Sequence, residues 1–349
     1  MKLKRIGASV LVCIVFTAAV AWGQVTAHYI NVGQAASALI EFKSGAILID
    51  AGGEATADDV YGDHLVAYLN KFFERRADLH QTLDGIIISH PHIDHTKYLM
   101  NVFDKFTVRA LVDNGGDSGS GISQLKKARK FVQDHDLEYI AVNDASIRRS
   151  GKKLSLITGA GAPTITLLSG LRGCSNKNND SIAFRIVTVE ATFLFVGDAE
   201  NEADDDCDAE LDLLEQRFHD NGLLDADVYH VPHHGSFNGT SDDFMVMVSP
   251  KISVISAGDP DRQTPGQFHA FQFGHPREVA VDTIEKDTSG TRASKMVVVL
   301  PKVKKTVTHN MTKAVYCTCW DGDVVIAYKA GQTTPTIKTD ENSVPRLGP

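Results

Sequence analysis

The stretch Ile86-Ile-Ile-Ser-His90-Pro91-His92-Ile93-Asp94-His95 decides how the rest of the chain is read. A short apolar, β-branched run has the composition of a buried strand, and it feeds directly into three histidines and an aspartate. Pro91 disfavours a helical conformation for His90, which sets the first pair on a rigid loop at the strand's end. Neutral imidazole and carboxylate are the ligand types of borderline divalent metals. The segment can therefore supply four ligands, His90 and His92 to one ion and Asp94 and His95 to a second. The competing reading is a chance cluster of surface histidines. The position argues against it, because α/β proteins place their active sites at strand ends.

Two further segments repeat the pattern. Phe193-Leu-Phe-Val-Gly197-Asp198 is an apolar strand delivering an acid at its end, and a carboxylate with two oxygens can bridge two cations. Val228-Tyr-His230-Val-Pro-His233-His234-Gly235-Ser236 again puts imidazoles on a loop beyond a strand. One of His233 and His234 can complete the second metal, while the other faces substrate as an acid or hydrogen-bond donor. His230 reads as a packed strand residue. Gly274-His275-Pro276, just before a helix, is a fourth candidate, with a cap or loop role as its alternative.

Around these segments the chain alternates between strand-like and helix-like stretches. Strands are expected within residues 25–42 on either side of Gly33, and at 46–50, 85–89, 108–112, 163–168, 181–189, 191–196, 228–231, 252–255, 295–300, 314–319 and 324–328. Helices are expected over 58–76, 122–134, 277–287 and an acidic stretch at 203–220. Strands interleaved with helices imply an α/β sandwich. The division expected is residues 1–23 as a targeting segment, 24–329 as one catalytic domain and 330–349 as a mobile tail, the last because it is Thr- and Pro-containing and aperiodic.

The 349 residues are 43% hydrophobic and 23% charged, a globular balance that excludes a disordered or polytopic membrane protein. Lys2, Lys4 and Arg5 precede an apolar run to about Val20 and small residues ending near Gly23, the layout of a secretory signal peptide. An uncleaved anchor is the weaker reading, because strand-like alternation starts almost at once. The expectation is a periplasmic or secreted protein with no stable membrane insertion after cleavage. The formal charge of −9 gives no bulk attraction for nucleic acid, so such a substrate would need a local basic patch or bound metal. Beyond Cys13 the cysteines are Cys174, Cys207, Cys317 and Cys319, an even number that permits disulfides in an oxidising compartment. Cys317 and Cys319, taken as i, i+2 strand neighbours, are not expected to bond to each other.

In this order, the motifs resemble the metallo-β-lactamase superfamily, and within it the branch of ComEC-like competence-protein hydrolase domains. The marks are Asn31-Val-Gly-Gln34, Leu48-Ile-Asp50-Ala-Gly-Gly53, the histidine loop, Asn178-Asn-Asp-Ser181, Val196-Gly-Asp198, Val231-Pro-His-His-Gly-Ser236 and Gly274-His-Pro276. The resemblance implies a four-layer αββα sandwich with a two-metal site at one edge. It implies His90, His92, Asp94, His95, Asp198 and one of the histidine pair, His234 preferred, as ligands to two divalent ions, zinc first and manganese second. Three departures stand out. The usual acid in the first loop is replaced in Gly33-Gln34-Ala35-Ala36, Thr96-Lys97 stands for a glycine pair, and Asn178 or Asn179 stands where a further histidine is common.

The function implied is metal-assisted hydrolysis, with a water activated between the ions as nucleophile. Asp94 or Asp198 would orient it, and His233, His275 or Lys97 would serve the leaving group. On the branch resemblance the substrate is a small phosphodiester or short oligonucleotide. The alternatives are a carbonyl hydrolase of the lactonase or β-lactamase kind, and a non-catalytic secreted binding protein with a degenerate site.

Overall fold

Short apolar runs bounded by glycine, aspartate and asparagine build two sheets, in a computed structural model that describes residues 23–54, 59–159, 161–262 and 268–343. The proposed signal peptide lies outside the described residues apart from its last position. The first sheet has eight strands in the order Thr336–Asp340, Asp323–Lys329, Gly23–Tyr29, Ala38–Phe42, Gly45–Ile49, Gly85–Ile87, Ala110–Asp113 and Glu138–Ala141. The second has seven, in the order Val315–Cys317, Ile252–Ile255, Val228–Val231, Thr192–Phe195, Phe184–Val187, Thr164–Leu167 and Lys152–Leu154.

Period-two alternation explains the layering. In Ala38–Phe42, Ile40 enters the core between the sheets, where it joins Ile47, Ile87, Phe184, Phe193 and Val254. Leu39 points the other way, into a second core with Leu48, Ile86, Leu65, Phe72, Val102 and Leu125. Those partners bring the helices Val60–Arg75, Leu99–Lys105 and Ile122–Asp134 onto the outer face. On the far side Leu194, Tyr229 and Ile255 pack on the helices Glu210–Phe218, Asp242–Val248 and Glu278–Asp287. The result is the four-layer αββα sandwich. Because both faces of the central strands are covered, their sequences read as nearly continuous apolar runs.

Half of each sheet is parallel, and this positions the site. Gly45–Ile49, Gly85–Ile87 and Ala110–Asp113 run together in the first sheet. Thr192–Phe195, Val228–Val231 and Ile252–Ile255 do so in the second. Their carboxyl ends deliver Asp50, Ser89-His90, Asp198 and His233-His234 to one edge of the sandwich, the crevice where open α/β sheets hold ligands.

Four expectations need correction. The acidic helix is confined to Glu210–Phe218. The residues before it are tied down as a loop by a Cys174–Cys207 disulfide and by Asp204, which accepts from the amides of Asn176, Asp206 and Cys207. Cys317 and Cys319 are disulfide-bonded to each other. Cys317 ends a strand and Cys319 lies in the helical turn Thr318–Asp321, so they are not extended neighbours, and their Cα atoms are 5.1 Å apart. The segment read as an aperiodic tail contributes the edge strand Thr336–Asp340 through backbone pairing with Asp323–Lys329. Its side chains are mostly exposed, so no apolar periodicity marks it. Finally, the strand expected at 295–300 is one arm of a long hairpin, Thr291–Lys302 with Lys305–Lys313.

Candidate metal centre

Two imidazoles at this edge, His95 and His234, are each oriented by a partner on Nδ1, which leaves Nε2 for the cleft. Asp50, in a left-handed conformation at φ 58°, is the anchor. Its Oδ1 accepts from Ser89 N at 2.7 Å, and its Oδ2 accepts from Ser89 Oγ at 2.9 Å and from His95 Nδ1 at 2.8 Å. On the other sheet His234 Nδ1 donates to the Ser256 carbonyl at 2.6 Å. Both rings are thereby fixed in the tautomer whose Nε2 is free, the arrangement that metal-ligating histidines require of their supporting groups.

Asp94, His95, Asp198 and His234 converge, with one potential ligand atom from each lying within 4.8 Å of all the others. His95 Nε2 and His234 Nε2 stand 3.2 and 3.4 Å from Asp198 Oδ2, and His234 Nε2 is 3.3 Å from Asp94 Oδ2. Neither Nε2 atom makes a well-directed hydrogen bond among the described residues, although both are fully buried. Buried orphans of this kind are uncommon and call for a missing partner. Two carboxylates and two imidazoles, mutually close and unsatisfied, suit a divalent cation. His90 and His92 flank the cluster, His90 Nε2 lying 3.0 Å from His92 Nδ1 and 3.9 Å from Asp198 Oδ2. These two nitrogens with Asp198 offer a second position.

The electrostatics agree. Burial pushes Asp198 up, but His95 and His234 outweigh it and hold the carboxyl well below its ordinary range. Burial likewise works against Asp94, and the His234 imidazole beside it lowers it. Burial pulls His95 down, yet Asp198 and Asp50 raise it well above the usual imidazole value. Positive charge is thus drawn to the point where the carboxylates meet. His90 goes the opposite way, lowered by burial and then by His95. Close backbone approach is built in: a Cβ on Gly52 would lie 1.6 Å from the Asp94 carbonyl oxygen, so only glycine fits there.

The histidine pair divides its tasks. Both residues are left-handed, at φ 49° and 54°, which turns them to different sides. His234 joins the cluster. His233 faces Asn178, whose Nδ2 lies 3.3 Å from His233 Nε2, while His233 Nδ1 meets Asn238 Oδ1 at 3.2 Å and Glu200 Oε1 at 3.1 Å. Asn178 Oδ1 is a further buried atom without a partner, in the place where the resemblance lacks a histidine. His230 is a packed strand residue, hydrogen-bonded to Ser256 Oγ and pushed down by burial to about 3.

His275 reaches the same cleft, its ring centroid 5.3 Å from that of His233. The cleft is about 280 Å³ and is lined by His92, Asp94, Ser120, Asn178, Asp198 and Phe273 among others. Lys97 is turned away, donating to the Glu54 carbonyl and the Tyr98 hydroxyl. The supporting acids Asp50 and Glu200 and the amide of Gln34 went unassigned by sequence reasoning. The one available signal was their position in the quoted motifs or just past a strand end.

A model of the metallo-beta-lactamase superfamily matches residues 30–259, a span that contains the cluster and both members of the histidine pair but ends before His275. ComE operon protein 3 of Bacillus subtilis (strain 168) is 23% identical over 204 residues, which are 58% of this chain and 22% of that much longer protein. Among solved structures, the metallo-beta-lactamase fold protein YhfI from Bacillus subtilis superimposes with a TM-score of 0.43 at 14% identity, over 76% of this chain and 94% of its own. Igni18, a metallo hydrolase from the archaeon Ignicoccus hospitalis, gives 0.40 at 14% identity, over 81% and 98%. With two thirds of its length matched by the family model and a buried aspartate–histidine cluster compatible with divalent metal at the expected edge, this chain belongs to the metallo-beta-lactamase superfamily.

Proposed function

We propose that the protein is a metal-dependent phosphodiesterase acting outside the cytoplasm. The observation that carries the reading is the opposition, across one small cleft, of the Asp94–His95–Asp198–His234 cluster and a neutral donor imidazole, His275. Asp94, His95 and His234 would hold one cation, His90 and His92 a second with Asn178 as a weaker oxygen donor, and Asp198 would serve both. Two divalent cations, zinc or manganese, supply Lewis acidity and an activated water when bound.

The chain's own residues do the rest. Asp94 orients the attacking water, and the side chains around the cleft position the ester. His275 Nε2–H can donate a hydrogen bond to the charge developing on the departing alkoxide, which takes its proton from water, because Nδ1 is occupied by Gln34. A phosphodiester uses this arrangement more fully than a strained lactam or lactone, whose leaving group stays tethered. The intact cluster speaks against a degenerate binding protein.

Two features support the reading of the compartment. The N-terminal pattern is that of a signal peptide, and the Cys174–Cys207 and Cys317–Cys319 disulfides suit an oxidising environment. Among the described residues no helix is long and apolar enough to cross a membrane. On this reading the catalytic unit runs from residue 24 through the edge strand Thr336–Asp340.

The test is elemental analysis of the purified protein, paired with turnover of bis-p-nitrophenyl phosphate, phosphocholine esters, single-stranded DNA and nitrocefin. Diester hydrolysis that needs metal and is abolished by Asp198→Ala is the expected result. Nitrocefin turnover without diester turnover points to the carbonyl hydrolase instead. If Asp198→Ala leaves metal content and hydrolysis unchanged, the catalytic reading is wrong.

A further inference from the structure

The long hairpin has no part in the cluster, yet its turn sits against the segment that carries His275. Leu300 N donates to the Pro276 carbonyl at 3.0 Å, and Lys304 N donates to the Phe271 carbonyl at 3.0 Å. Gly274 packs on Val303 so closely that a Cβ on it would lie 3.2 Å from the Val303 Cα. These contacts dock residues 302–305 beside the cleft's rim, where Phe273 is exposed.

Charge is distributed unevenly along this hairpin. At its base Arg292 and Lys295 both bind Asp321, His309 meets Glu285, and Lys313 donates to the Thr288 carbonyl. At its turn Lys302, Lys304 and Lys305 are exposed and form no ion pair among the described residues. No acid occurs anywhere in residues 300–313, although the whole chain carries a net −9. Arg277, one residue past Pro276, is a fourth cation near this turn and lies over the exposed Phe237 ring at 5.4 Å. Exposed lysines do protect edge strands from pairing. That role does not require them to gather at the one turn fastened to the active-site segment.

We propose that Lys302, Lys304 and Lys305 form an anion-binding exosite that takes neighbouring phosphates of a phosphodiester chain whose scissile group lies in the cleft. The proposal rests on the phosphodiesterase reading for the word "scissile", but the binding it predicts does not. A cleft of about 280 Å³ holds a single ester with little on either side, so a longer chain must continue over the rim. Such a contact is electrostatic, sequence-blind and salt-dependent. Two kinds of polymer share this chemistry, single-stranded nucleic acid and poly(glycerol phosphate).

The experiment uses the full metal-loaded protein with all three turn lysines changed to glutamate. The control variant carries Lys153→Glu, Lys329→Glu and Lys338→Glu, which shift the net charge equally on other strands. Binding of a fluorescein-labelled twelve-nucleotide DNA is read by anisotropy over a salt series, with poly(glycerol phosphate) as competitor and bis-p-nitrophenyl phosphate turnover alongside. The turn variant is expected to lose about tenfold or more in polymer affinity, and its salt slope should flatten by about 2 for three lost phosphate contacts on a single strand. Turnover of the small diester should be unchanged. The polymer whose affinity falls identifies the source. Equal affinity and slope in turn variant and parent overturn the exosite, as does an equal loss in the control. If the parent binds polymer through these lysines but hydrolyses no diester, the functional reading fails and the exosite stands.

Discussion

Gln34 and His275 lie 241 residues apart and share a hydrogen bond of 2.9 Å between Gln34 Nε2 and His275 Nδ1. The direction of that bond is fixed from the other end of the amide, because Gln34 Oε1 accepts from Gly258 N at 3.2 Å. The amide must therefore donate to Nδ1, and a neutral His275 carries its proton on Nε2. Burial, then repulsion from His233 and His234, holds His275 well below the ordinary imidazole value, so the neutral form prevails. A loop that lacks its family's usual acid still contributes to the site, by selecting a tautomer.

His275→Ala is expected to lower kcat by about 10²-fold, the lower end for loss of a hydrogen-bond donor to developing charge. The loss should be larger for a dialkyl ester than for a p-nitrophenyl ester, whose leaving group needs little stabilisation. Gln34→Ala should give a smaller loss with the same leaving-group dependence and little change in KM. Steady-state kinetics on the two ester classes checks both, and a loss independent of leaving group would remove the donor role.

Asp50→Asn should keep the fold while weakening metal binding by about 10–100-fold, the usual effect of removing a ligand's supporting carboxylate. Metal titration against a chromogenic chelator measures it. Asp198→Ala should do more, since it removes the carboxylate that lies within 3.9 Å of His90, His95 and His234 alike.

Glu41 governs the acid limb of stability. It accepts hydrogen bonds from His28, Arg75 and Arg76, of which the His28 and Arg76 pairs are buried and Arg75 is partly exposed. Burial pushes its carboxyl up, but the hydrogen bonds from His28, Arg75 and Arg76 prevail and hold it far below its usual value of 4.5. A folded-state pKa below the unfolded one stabilises fully above that usual value, and the stabilisation drains away as pH falls through it toward the folded value. Glu41→Gln should cost roughly 3 kcal/mol near neutrality, the scale for breaking a buried ion pair. The difference from the parent should shrink as pH falls below 4, as read by urea denaturation.

The two disulfides should differ in weight. Cys174–Cys207 closes a separation of 33 residues, and its removal by paired serines should cost about 3 kcal/mol. It also releases the loop that holds Asn176 and Asp204 together beside Asn178. Cys317–Cys319 spans only 2 residues and restrains the unfolded chain little, so its removal should change the melting temperature far less. Thermal melts of the two double variants compare them directly.

Much of the molecule was legible in the chain, because strands and helices answer to local rules. Apolar runs such as residues 85–89 and 191–196, each followed by a loop rich in ligand residues, announced both halves of the site. The edge strand Thr336–Asp340 was not legible, since it is held by backbone pairing and buries almost no side chain. Nor was the Cys317–Cys319 bond, which depends on a helical turn placed directly after a strand. The sequence by itself determined which residue types could gather a cation and which runs would be buried. Only the tertiary structure decided that Asp198 meets His95 across the gap between two sheets, that His234 and not His233 turns inward, and that Gln34 reaches His275. Those outcomes depend on how two twisted sheets pack and on which way a left-handed turn throws a side chain, and no local pattern encodes either.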